Sequence, residues 1–237
     1  MESAAPKRAR PVIAIDGPTG AGKSTIARAL ASALGYTYLN TGAMYRALAI
    51  AARAANITPD DREVETKLAP LLNRIRIEFD GERVILGGKD VSEEISSPEV
   101  SELASKFSAL KSVRERMRDL QRAAGQDGGV VMEGRDIGTV IFPDAEAKFF
   151  LDAEVNVRAA RRFKELHLKG EPIARDQVLA QLIDRDRRDS ARAHAPLKRA
   201  DDAIVIDASH MSIAEVVSAM QAHIEQRINA GKDLKRS

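Results

Sequence analysis

The segment AIDGPTGAGKSTIARAL, Ala14 to Leu30, passes from a short β-branched run into a helical pattern through a glycine-rich turn. Gly17 to Ser24 fits G-x-x-x-x-G-K-[ST], and it has the context the motif needs, a strand before it and a helix after it. The glycines let successive backbone N–H groups turn inward, and the positive end of the following helix adds to them. Such a turn cradles a polyphosphate. Gly17, Pro18, Thr19, Gly20, Ala21, Gly22, Lys23 and Ser24 are therefore the candidate nucleoside triphosphate site. Lys23 is expected to reach the β- and γ-phosphates, and the Ser24 hydroxyl to ligate a bridging Mg²⁺.

A strand that feeds such a loop needs a sheet to belong to, and four further apolar runs supply one. The five runs are Val12 to Ile15, Thr37 to Leu39, Val130 to Met132, Lys148 to Leu151 and Ile204 to Ile206, each ending at a polar residue. Four of them are continuous apolar strings of the kind a sheet buried on both faces requires. The stretches between carry Ala, Leu and Ile at helical spacing. The pattern predicts an α/β fold with a five-stranded parallel sheet and helices on both faces. Ligands of such sheets collect beyond the carboxyl ends of the strands, where Asp16, Asn40, Glu133 and Asp152 fall.

One segment breaks the alternation. Arg74 to Val91 alternates polar and apolar residues around Asp80-Gly81, a hairpin signal, and Gly87-Gly88 makes a second turn. It reads as a small antiparallel β insertion, placed at about 58–98, with the core at 11–57 and 99–227. The ends, 1–10 and 228–237, read as short basic tails, solvated and disordered.

Composition narrows the chemistry. Lys and Arg number 37 against 35 Asp and Glu, a net charge of +2 over 237 residues, so no broad field favours nucleic acid or a membrane surface. Any anion specificity must be local. The sequence contains no cysteine, which excludes thiolate metal sites, thiol nucleophiles and disulfides together. No apolar run approaches the ~20 residues that span a bilayer, and Val12 to Ile15 is too short for the core of a signal peptide. A cytoplasmic protein is expected.

The phosphate loop leaves open whether the γ-phosphoryl group is hydrolysed or transferred. Paired acids at a strand end, as in motor proteins, are not found: in VVMEGRD, Glu133 is followed by glycine. The Asn-Lys-x-Asp signature of guanine-nucleotide switches is missing as well. Transfer is favoured, and it needs guanidinium groups around the acceptor and the migrating phosphate. Arginines stand in three suitable places. LNTGAMYRAL puts Tyr45 and Arg46 one turn inside a helix that starts near Thr41. EGRDIGTVIFPD puts Arg135 and Asp136 just past a strand end. NVRAARRFKEL and LIDRDRRDSARAHAPL put Arg158, Arg161 and Arg162 on one helix face, and Arg185, Arg188, Asp189 and Arg192 on another. Charges at such spacings on Ala-rich helices are also what a solvated, ion-paired face looks like.

These residues resemble bacterial-type cytidylate kinases, within the nucleoside monophosphate kinase group of P-loop kinases. The resemblance runs from Val12 to about Val217 through IDGPTGAGKST, LNTGAMYRALA, GGKDVSEEI, VRERMRDLQR, EGRDIGTVIFPDAEAKFFLDA, RDRRDSARAHAPL and ADDAIVIDAS. The first motif is generic; the fifth and sixth together are highly specific. The resemblance implies Mg²⁺-dependent transfer of the ATP γ-phosphoryl group to CMP or dCMP, by a protein expected to be a monomer. It implies that the insertion is a monophosphate-binding lobe and that about 155–195 forms a helical lid. It extends the ATP loop through Thr25 and implies Lys23, Arg135, Arg161 and Arg192 as catalytic groups, Arg161 as a lid arginine on the ATP side. Ser105, Arg114 and Asp136 are implied as cytosine readers, Arg46, Arg135 and Arg192 as acceptor-phosphate ligands, and Arg185 and Asp189 as neighbours of the ribose. Thr41 and Tyr45 join them on the substrate side. A carboxylate facing the exocyclic amine of cytosine, with a guanidinium and a hydroxyl facing N3 and O2, suits cytosine and mismatches uracil.

The chain departs from a frequent family form at Asn40-Thr41, where Asp-Ser is common, and at Ser96, where arginine is frequent. Two other readings stay open from sequence: a P-loop kinase for a different small acceptor, and an NTP-driven protein that uses its basic tails on nucleic acid.

Overall fold

The computed structural model describes residues 8–233, with side chains through 227. Of the tails expected at 1–10 and 228–237, residues 1–7 and 234–237 fall outside the described residues, whereas 228–233 continue the last helix and are not a disordered tail. Arg8, inside the first of them, is tied down: its guanidinium pairs with Asp144 at 2.7 Å and lies over the Phe142 ring. The chain divides into two compact units, one from residues up to Tyr38 and from Gly125 onward, the other Leu39–Ala124.

The first unit is built on a parallel sheet. Its strands are β1 (Val12–Asp16), β2 (Thr37–Asn40), β6 (Val130–Gly134), β7 (Ala147–Asp152) and β8 (Ile204–Asp207), in the order β2-β6-β1-β7-β8. All five sequence-predicted strands are present. β1 lies in the middle and is buried along its whole length, which explains its unbroken apolar run. Ile13, Ile15, Val131, Phe149 and Leu151 turn to one face of the sheet. There they pack against Ile26, Ala27 and Leu30 of α1 (Lys23–Leu34) and Val216, Met220 and Ile224 of α8 (Ile213–Asp233). Gly35 stops α1 in the left-handed region at φ 63°, and Tyr36 N–H returns to the Ala31 carbonyl, so the chain can enter β2 at once. α6 (Val155–Leu168) and α7 (Arg175–Ala191) pack on each other through a small core of Ala159, Leu166, Val178 and Leu182.

The second unit holds α2 (Thr41–Ala54), α3 (Val64–Arg74), the antiparallel strands β3 (Ile77–Asp80), β4 (Arg83–Leu86) and β5 (Lys89–Asp90), α4 (Pro98–Phe107) and most of α5 (Lys111–Gly125). Asp80 pairs with Arg83 across a two-residue turn that opens with Gly81 at φ 61°, as the hairpin signal predicted. The unit is wider than the lobe expected at 58–98. Leu48 of α2, Leu68 of α3, Phe107 of α4 and Met117 of α5 share one fully buried cluster with Val84 of the hairpin, so the flanking helices belong to the same core.

Candidate active site

The loop between β1 and α1 is shaped by close backbone approaches. Gly17 has φ 150°, and a Cβ there would lie 2.0 Å from the carbonyl oxygen of Leu151 on β7, so no other residue fits. α1 starts after Gly22 with no side-chain cap and no acid in its first turn, which leaves its first N–H groups to an anion. Lys23 opens that helix and folds back, its Nζ donating to the Pro18 carbonyl at 2.6 Å. Burial, reinforced by the Arg135 charge, pushes its ammonium down to about 7, against the pull of Glu133, Asp16 and Asp189. An anion in the cradle would reverse that shift.

Ser24 is exposed, and behind it lies a hydrogen-bonded chain. The Ser24 side chain bonds the Tyr38 hydroxyl, and Tyr38 donates to Oε1 of buried Glu133 at 2.5 Å. Burial and the Glu133 charge raise the Tyr38 phenol well above its ordinary value, so it stays a donor. A hydroxyl backed by a buried carboxylate is a sparse oxygen set. It suits Mg²⁺, which keeps several waters and takes its remaining ligands from substrate phosphates.

The arginine cluster lies in the same unit. Arg135, directly after β6, donates from Nε to Oδ2 of Asp189 at 2.9 Å and from Nη2 to the Thr19 hydroxyl at 2.5 Å. Arg192 pairs with the other oxygen of Asp189. Burial alone would raise the Asp189 carboxyl, which is 1% exposed, yet Arg135, Arg192 and Arg185 hold it below the usual carboxylate range. Arg161 donates to the carbonyls of Ala208, at 2.6 Å, and of Ala21 inside the loop, at 3.4 Å.

Two expectations about helix faces change. α7 ends at Ala191, so Arg192 is not on the helix with Arg185, Arg188 and Asp189; it reaches Asp189 from just beyond the helix end. Arg158, Arg161 and Arg162 do not share one role. Arg162 makes a surface pair with Glu165, whereas Arg158 is buried and binds the Ala153 carbonyl, the Thr19 carbonyl and Asp186. Arg158 thereby braces the phosphate loop, a task the motif R-A-A-R-R does not announce.

Asp16, at the end of β1, also went without a role in the sequence. Its carboxylate is buried and accepts from the backbone N–H of Ile137 at 2.9 Å and of Gly138 at 2.8 Å. Burial raises it to about 7, with those two amides pulling the other way. Asp136, next to them in sequence, is buried as well.

The second unit holds the remaining predicted residues. Asn40 caps α2 by accepting from Ala43 N–H at 3.0 Å, with Thr41 buried beside it. Asn40 thus supplies the side-chain acceptor that a helix N-cap requires. Arg46 lies one turn on, its Nη1 3.3 Å from where a Cβ on Gly42 would be. The Arg114 guanidinium stands over the Tyr45 ring at 5.7 Å and donates to the Ser108 carbonyl. Ser105 is buried, and its hydroxyl finds no hydrogen-bond partner among the described residues. A buried hydroxyl left so is a place for a ligand atom.

The sequence model of cytidylate kinase matches residues 13–226. The chain belongs to the cytidylate kinase family. It is, with that family, a nucleoside monophosphate kinase and a nucleotide-binding transferase. Similar proteins include the cytidylate kinases of Geobacter sulfurreducens, 47% identical over 92% of this chain and 94% of that one, and of Chlorobaculum tepidum, 49% identical over 93% and 94%. That of Geobacter sp. strain M21 is 46% identical over 93% and 95%. Among solved structures, an uncharacterized protein from Eubacterium ventriosum superposes over 91% of this chain and 99% of its own with a TM-score of 0.50 at 13% identity, a likeness of fold alone. Among the described residues no helix is long and apolar enough to cross a membrane.

Proposed function

We propose that the protein transfers the γ-phosphoryl group of ATP, in the presence of Mg²⁺, to CMP or dCMP, giving ADP and the diphosphate, and that it does so as a cytoplasmic monomer. The observation that carries this reading is the reach of Arg135 from the end of β6 to Thr19 of the phosphate loop, with Asp189 and Arg192 behind it. A guanidinium fork fixed against the triphosphate cradle is what transfer between two phosphates requires.

Gly17 to Thr25 hold the triphosphate through main-chain amides, with Lys23 at its far end. Mg²⁺, held through Ser24 with Glu133 behind it, would supply charge neutralisation at the bridging phosphate oxygens. Arg135 and Arg192 engage the acceptor phosphate, and Asp189 and Arg185 stand at the ribose. Asp136 takes the exocyclic amine of cytosine. Family resemblance adds Thr41, Tyr45, Arg46, Ser105 and Arg114 for the same nucleotide. Arg161 and the helical segment at about 155–195 close on the ATP side and exclude water. No covalent intermediate and no general base are needed, because the acceptor oxygen is already ionised at neutral pH.

A coupled ADP-release assay across nucleoside monophosphates tests the proposal. Turnover with CMP and dCMP well above UMP, AMP and GMP supports it. A preference for another acceptor, or phosphate release without a phosphorylated nucleoside, overturns it.

A further inference from the structure

The turn that carries Arg135 and Asp136 is held by a residue from a different strand. Ile137–Ile141 form one π-turn, and Asp136, at its N-cap, makes no side-chain capping bond. The acceptor that a capping residue ordinarily supplies comes instead from Asp16. The β1–β6 register sets Asp16 beside Gly134, and its two oxygens each take one of the consecutive N–H groups of Ile137 and Gly138. At Gly138 a Cβ would stand 3.5 Å from Asp16 Oδ2, an ordinary contact, and 3.1 Å from the Lys148 side chain, a tight one. Two charge-assisted bonds to adjacent amides in a buried setting fix the backbone of the turn.

We propose that Asp16 is a positioning residue for phosphoryl transfer: it caps the turn from across the sheet and so fixes the backbone that carries Arg135 and Asp136 toward the acceptor nucleotide. This rests on the reading of Asp136 as the cytosine contact. Asp16 then acts on acceptor affinity and base choice, while ATP binding stays with the loop amides and Lys23.

Asp16→Asn separates the two. An amide side chain can accept from one of the two N–H groups but sets a donor against the other. Loss of one charge-assisted bond predicts a KM for CMP raised about tenfold or more. The preference for CMP over UMP falls with it, and the KM for ATP changes by a smaller factor, through the lost pull of Asp16 on Lys23. Gly138→Ala, whose backbone conformation accepts alanine, shifts the same turn and gives a weaker form of the same split, so the outcome is readable even where Asp16→Asn does not fold. Equal changes in the ATP and CMP constants, or no change in either, overturn the role. A wild type that prefers another acceptor sinks the cytosine reading alone, and the split measured with that acceptor still decides the part played by Asp16.

Discussion

Arg135 Nε donates to Oδ2 of Asp189 at 2.9 Å, which joins the end of β6 to the last turn of α7 through a carboxylate that is 1% exposed. Asp189 in turn pairs with Arg192. Two guanidinium groups assigned to phosphate are thus pre-set by one buried acid.

Arg135→Ala removes the fork while Arg192 and Arg185 still neutralise Asp189. Turnover with CMP should fall by about two to three orders of magnitude, in line with loss of a preorganised charge at a transferring phosphoryl group. ATP affinity should change little. Arg135→Lys should recover little of the rate, because an ammonium cannot span Asp189 and Thr19 together. Steady-state kinetics with each nucleotide varied in turn check this, and wild-type turnover in the alanine variant would remove Arg135 from the mechanism.

Asp136→Ala should damage selectivity more than chemistry. The CMP-over-UMP ratio of kcat/KM should drop by roughly one to two orders of magnitude, the worth of a charge-assisted hydrogen bond. An unchanged ratio would mean the base is read elsewhere.

Gly17→Ala is a steric test. Its Cβ would need the space of the Leu151 carbonyl oxygen at 2.0 Å, so the loop or β7 must move. A stability loss of about 1–3 kcal/mol, together with weakened ATP binding, is expected in thermal melts with and without the nucleotide. A variant that melts and binds as wild type does would contradict the packing.

The pH dependence of folding carries the mark of Asp16. Its carboxyl rises from 3.8 in the unfolded chain to about 7 in the folded one, chiefly by burial. Between those values the native state binds the extra proton, so this group's contribution to stability is full below about 4 and is lost as pH rises through about 7. Asp16→Asn titrates nowhere in that window. Denaturant midpoints measured from pH 5 to pH 8 should decline more for wild type than for the variant; parallel profiles would count against the buried, titrating carboxylate.

Much of the fold was legible because burial leaves a pattern. A central parallel strand covered on both faces must be apolar throughout, as Val12 to Ile15 are, and a hairpin needs a turn such as Asp80-Gly81. The phosphate loop was legible for a related reason, since at Gly17 only glycine fits. What could not be read is what depends on register and on shared cores. Asp16 meets Ile137 and Gly138 through strand pairing far apart in sequence. The apolar stripes of α2, α4 and α5 do not say which core they join. Arg158 and Arg162 look alike in R-A-A-R-R, yet one is buried against the Thr19 carbonyl and the other pairs on the surface.

In the proposed reaction a phosphoryl group passes intact from ATP to a cytidine monophosphate, and phosphorus NMR of purified protein with Mg²⁺, ATP and CMP follows every phosphate at once. CDP and ADP should appear in equal amounts with no inorganic phosphate; inorganic phosphate accumulating while CMP stays unchanged would rule the transfer out.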